Sequence, residues 1–160
     1  MTYYEVPGRE NIDKTLELVK KRAIELGIKN VVVASTRGFT AERCFNAFKE
    51  TDVTLTMVGI GRDSFPQSLS GKLEEEGHNV IFSRETSYDY PDLVKAAYRR
   101  FSEGVKVAVE IAMIAVQKGL VPAEEEVISI GKWDTALVIK PATSDRFSDL
   151  AIRELICKPR

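Results

Sequence analysis

The stretch Ser35-Thr36-Arg37-Gly38-Phe39-Thr40 gathers the groups that hold an anion. Ser35, Thr36 and Thr40 offer hydroxyls, Arg37 offers a planar fork of donors, and Gly38 lets a backbone approach closely. The stretch follows an apolar run, Val31-Val32-Val33-Ala34, and precedes a helical pattern from Phe39 to Phe48, so it reads as a strand-to-helix turn. The N-terminus of such a helix presents unpaired N–H groups and a positive dipole end, for which phosphate is the natural guest. The competing reading is an ordinary turn in which Gly38 supplies the tight bend and Thr40 caps or packs into the helix. Neither a GxGxxG nor a GxxxxGK[ST] pattern is present to decide between them.

A second stretch, Gly131-Lys132-Trp133-Asp134-Thr135, holds the only tryptophan of the chain. Trp133 has the shape to stack on a flat ring or to fold back as packing, and Lys132 suits a phosphate. Asp134 would orient a sugar or ribityl hydroxyl, or bond its own turn. The single histidine, His78, follows Gly77 and reads as a strand entrance. Gly59-Ile60-Gly61-Arg62 lies on the same rim as the first loop and offers Arg62. The polar and aromatic stretch Ser83 to Tyr90 reads as a lid or rim. A Ser/His/Asp set, a supported Cys/His pair and a metal cluster are missing, so no catalytic residue is assigned and no metal site is expected.

The elements that must carry these loops follow from hydrophobic period. Asn11 to Leu26 places Ile12, Leu16, Val19 and Ala23 at helical spacing and ends at Gly27. Residues 30–35, 53–58 and 79–82 are short apolar runs of strand length, alternating with helical patterns at 39–48 and 67–76. Continuous rather than alternating apolarity is the mark of strands covered on both faces, and the alternation predicts βαβ units with right-handed crossovers. Asp92 to Lys118 reads as one long helix, eased at Gly104 and apolar nearly all round in its second half. Residues 126–130 and 135–139 read as two strands joined by a hairpin. The long helix would return the chain to lay residues 126–130 beside 31–35. Ligands of open α/β sheets bind at that reversal, outside the carboxyl ends of the strands. The two candidate loops then face one another.

Length and composition bound the rest. The chain has 160 residues, 44% of them hydrophobic, which suits one domain with its own core. With 23 basic against 24 acidic residues the formal charge is −1, against the basic footprint of a nucleic-acid binder. Cys44 and Cys157 lie in apolar-periodic segments and read as core thiols, which points to a reducing, cytoplasmic setting. No apolar run approaches the ~20 residues that span a bilayer, so no membrane partner is expected. The apolar girdle of residues 105–116 points to a homo-oligomer.

The stretches Ser35 to Ala41, Glu103 to Glu110, Leu120-Val121-Pro122 and Trp133 to Ala142 together resemble the stand-alone prokaryotic proteins of the pyruvate kinase alpha/beta domain-like family, which are similar to the C-terminal domain of pyruvate kinase. The resemblance runs from about Gly27 to the C-terminus. It implies a three-layer α/β sandwich, a mostly parallel sheet with an antiparallel C-terminal edge hairpin, filling residues 1–160 as one domain. It also implies a phosphorylated small molecule, flavin mononucleotide (FMN) among the stand-alone proteins. By position, Ser35, Thr36, Gly38 and Thr40 would hold phosphate, and Gly131, Asp134 and Thr135 would lie in the second ligand loop. The second loop is shorter here than the family pattern, and Val58 to Arg62 lacks the histidines of that pattern. Another phosphorylated metabolite is therefore an alternative to the flavin. The rival expectations are an oligomeric structural protein with a vestigial pocket and, after it, a flavin-dependent oxidoreductase.

Overall fold

The computed structural model describes residues 1–160. Its elements in chain order are β1 (Thr2–Tyr4), α1 (Ile12–Leu26), β2 (Asn30–Ala34), α2 (Phe39–Phe48), β3 (Thr54–Gly59), α3 (Gln67–Glu75), β4 (Asn79–Phe82), α4 (Asp92–Arg99), α5 (Glu103–Gln117), β5 (Val127–Lys132), β6 (Thr135–Lys140) and β7 (Ala151–Pro159). The seven strands form one sheet in the order β1-β7-β6-β5-β2-β3-β4. All neighbours pair in parallel except β6, which runs antiparallel to both β5 and β7.

The mid-sheet strands β2, β3, β5 and β6 are buried along most of their length, as their continuous apolar runs require. On one face α1, α2 and α3 pack Leu16, Val19, Cys44, Phe45, Phe48 and Leu73 onto Val31, Val33, Leu55 and Met57. The opposite face carries α5, whose Val105, Val109, Ala112 and Met113 lie with Val32, Val127, Leu137 and Ile139. The sheet is thus the middle of three layers. No helix is long and apolar enough to cross a membrane.

Three features differ from the sequence reading. The long helix is two: α4 stops at Arg99 and α5 begins at Glu103, with Ser102 in extended geometry between them. The Ser102 hydroxyl accepts the Val105 N–H at 3.1 Å, a side-chain cap that starts a new helix where periodicity alone runs on. Secondly, the β5–β6 hairpin has two further strands, β7 and β1, outside it. Thirdly, the apolar girdle of α5 is buried within the chain, by the sheet on one side and by Tyr90, Val94, Tyr98 and Phe147 on others. Val105, Ile111 and Ile114 are at most 4% exposed without any second copy. The apolarity of α5 therefore gives no ground for an oligomer.

Candidate functional site

Strand β2 sits between β3 and β5, so the winding reverses at its carboxyl end as expected. There the loop after β2, the β5–β6 hairpin and one stripe of α5 enclose a cavity of about 680 Å³. The volume lies in the range of small-molecule sites.

The first loop forms one wall, lined by Ser35, Thr36, Arg37, Phe39 and Thr40. Gly38 adopts φ 93° at the entrance to α2, a left-handed turn that a side chain would resist, and itself lies outside the lining. The buried Ser35 hydroxyl accepts the Ala41 N–H at 3.2 Å, so its role is partly to cap α2. The N–H groups of Phe39 and Thr40 have no partner within the chain. A helix entrance with spare donors and a positive dipole end therefore opens beside the cavity.

The hairpin forms a second wall through Gly131, Lys132 and Trp133. A register shift between Ile130 and Lys132 marks a bulge at Gly131. Any β-carbon on Gly131 would collide with the Gly104 carbonyl and the Ala108 N–H, and one on Gly104 would collide with Thr135. These two glycines bring the first turn of α5 onto the hairpin backbone, closing the cavity at its base. Asp134 and Thr135, in contrast, are buried and turned inward. The Asp134 carboxylate accepts the Gly8 N–H at 3.1 Å through Oδ2 and the Thr135 hydroxyl at 3.2 Å through Oδ1. Neither lines the cavity.

That contact explains a residue the sequence reading missed. By tying Gly8 to the hairpin, Asp134 places Arg9 at the cavity, its guanidinium 5.0 Å above the Phe39 ring and 5.4 Å from that of Trp133. Lys132 Nζ lies 5.3 Å from the same indole. Trp133 thus packs against the core and carries two cations on its ring, which combines its two expected roles differently from either. Nothing near Arg9 in the chain announces this, because its anchor is 126 residues away.

Arg9, Arg37 and Lys132 form no ion pair with any carboxylate. Most of the other cationic side chains that meet the surface are paired. The mouth of the cavity therefore carries three uncompensated positive charges beside unpaired helix N–H groups, in a protein of net charge −1. An anion is the ligand this arrangement can hold.

The third wall is α5, which contributes Glu103, Lys106, Val107, Glu110, Ile111 and Ile114, the spacing of one helical stripe. Lys106 Nζ bonds Glu110 Oε2 at 2.5 Å. Ala34, Val58, Gly59 and Ile60 complete the lining.

The remaining candidates lie elsewhere. Arg62 is held by Glu85 at 2.7 and 2.9 Å and does not reach the cavity. Of the stretch 83–90 only Ser83 lines it; Tyr88 and Tyr90 turn instead toward α5. His78 Nδ1 accepts the Leu55 N–H at 3.1 Å and its ring packs edge-on to Phe45, so it completes the sheet backbone; burial lowers its pKa below the ordinary histidine value. Both cysteines are buried free thiols, and burial raises their pKa values. No three His, Cys, Asp or Glu side chains gather as a metal site.

No family model matches the chain. Among solved structures, a pyruvate kinase from Cryptosporidium parvum is similar to it, at 12% identity and a TM-score of 0.41. The match covers 77% of this chain and 20% of that one, so the chain spans about a fifth of that enzyme's length.

Proposed function

We propose that this chain binds a phosphorylated small molecule in the cavity at the carboxyl end of β2, with FMN as the leading ligand. The supporting observation is that Arg9, Arg37 and Lys132, all without carboxylate partners, line one cavity beside the entrance of α2. Cations without carboxylate partners beside spare backbone donors match a phosphate in both charge and hydrogen-bond donors. Chemically, Arg9 and Arg37 would take phosphate oxygens bidentately, Lys132 would act as a point charge, and the Phe39 and Thr40 N–H groups would complete the shell. The residues fit FMN in kind, since the cationic mouth suits its phosphate and the accessible aliphatic lining of Ala34, Ile60 and Val107 suits its ring. The role is binding; no acid, base or nucleophile is assigned.

The test is thermal stabilisation of the full chain by phosphorylated and dephosphorylated partners of the same body, FMN against riboflavin first. A ligand present at a hundred times its Kd stabilises a protein by about 2.7 kcal/mol. FMN should raise the melting temperature and riboflavin much less. Equal responses to the two would remove the phosphate from the account.

A further inference from the structure

The charges of the cavity divide it in two. The α2 and hairpin side carries Arg9, Arg37 and Lys132, whereas on the α5 side each acidic group is paired: Glu103 with Arg99 at 2.7 Å and Glu110 with Lys106 at 2.5 Å. The α5 side is therefore neutral overall and flanked by Val107, Ile111 and Ile114, yet it contains a nearly buried ion pair, with side-chain exposures of 11% for Lys106 and 17% for Glu110.

That pair is poorly explained as a stabilising device. Desolvating two charges offsets most of their attraction, and apolar residues of similar volume often serve a fold as well. The order Lys then Glu at i, i+4 is also the weaker one for a helix. Its hydrogen bonding is incomplete in an informative way. An ammonium has three donors; Lys106 makes one hydrogen bond, to Glu110 Oε2, and one cation–π contact, its Nζ 5.8 Å from the Tyr90 ring. Glu110 Oε1 accepts the Tyr88 hydroxyl at 2.9 Å, and Tyr90 donates to the Lys106 carbonyl at 3.0 Å. Two tyrosines from the connection before α4 thus hold this turn of α5 from outside the cavity. Spare Lys106 donors and the remaining Glu110 lone pairs are left on a wall that lines the cavity.

We infer that Lys106 and Glu110 form a recognition subsite for the uncharged end of the ligand, reading a planar heterocycle by an edge that carries a carbonyl oxygen next to an N–H. Lys106 donates to the carbonyl oxygen and Glu110 accepts from the N–H, while the half-buried Val107 and Ala34 face the apolar ring. A polyhydroxylated body would leave its hydroxyls against that aliphatic wall without partners, which is unfavourable. A simple alkyl body would leave the Lys106 donors unanswered. The inference rests on the phosphate reading for the orientation of the ligand, but the subsite acts on the other end, so the two can be separated.

The experiment is calorimetric titration of the full-length wild type, Lys106→Met and Glu110→Gln with FMN, riboflavin, ribose 5-phosphate and inorganic phosphate. Methionine keeps the stem of Lys106, and glutamine keeps an acceptor for Tyr88. Circular dichroism and the melting temperature report whether each variant folds, and inorganic phosphate binding serves as the internal control. Each variant should weaken FMN and riboflavin at least tenfold and leave inorganic phosphate and ribose 5-phosphate unchanged. Parallel loss across all four ligands would reduce the pair to a structural role and overturn the subsite. So would a wild type that binds FMN no more tightly than ribose 5-phosphate. Failure of the phosphate reading looks different: wild type would bind riboflavin as well as FMN and would not bind inorganic phosphate, while the Lys106 effect on riboflavin persisted.

Discussion

Two single residues carry predictions of their own, Gly38 beside the cavity and His78 in the sheet. Gly38 turns the chain into α2 at φ 93°, and a β-carbon there would sit 3.0 Å from the Pro66 ring. Gly38→Val adds a branched side chain to a conformation L-residues avoid and presses it on Pro66, so we expect folded protein of lower stability whose phosphate affinity falls further than any single charge deletion would cause. Denaturant titration and phosphate calorimetry on that variant separate the two effects; wild-type affinity would show that the turn does not shape the anion site. His78 makes a pH prediction of a different kind. Burial depresses its folded pKa below the ordinary 6.5, with Glu76 opposing, so the unfolded chain takes up the proton first. Its contribution is complete above about pH 6.5 and is lost as pH falls through the folded value. Wild type should therefore lose denaturation midpoint as pH falls below about 6.5, and His78→Gln, which offers the Leu55 N–H a non-titrating acceptor, should be flatter over the same fall. Identical slopes would assign the loss to other groups.

At the scale of elements, strands and helices with strong apolar period were legible within a residue or two, and the failures have local causes. The break between α4 and α5 lies in Arg100-Phe101-Ser102, where Phe101 continues the helical period of Leu93 and Ala97 although all three are exposed and α4 packs inward through Val94 and Tyr98. Only the Ser102 cap marks the end, and a serine three residues before a valine is a weak signal. Removing it with Ser102→Ala should cost ~0.5–2 kcal/mol in denaturant titration, the ordinary value of an N-cap, and loosen the turn that carries Lys106. A cost near zero would mean that packing alone defines the start of α5. Strand β7 was missed because Arg153 and Glu154 interrupt its apolar residues and Pro159 ends it, and β1 because three residues are too few to show a period. β1 is held only by pairing with β7 at the other end of the chain, to which local pattern is blind.

On the scale of the whole molecule, three distant segments converge on one sheet end to bring the cations of the proposed anion site together. Arg37 follows β2, Lys132 belongs to the hairpin, and Arg9 is brought in by the Asp134 clamp on Gly8. The switch point was legible because strand order follows from the alternation of elements. Arg37 and Lys132 were legible because they sit in loops at that point. Arg9 and the inward turn of Asp134 were not, because both depend on the Gly8–Asp134 contact across 126 residues, and the burial of Thr135 was not, because it depends on the close approach of Gly104. A net charge of −1 hides the local field altogether. The central claim is that this field holds a phosphate, and calorimetric titration of FMN into wild type and Arg37→Ala tests it most directly. Charge-assisted hydrogen bonds contribute ~1.5–3 kcal/mol each, so the account predicts FMN affinity weakened roughly tenfold to a hundredfold by the substitution and riboflavin affinity unchanged. Equal FMN affinity in both proteins, or a wild type that binds no phosphorylated ligand, would contradict it.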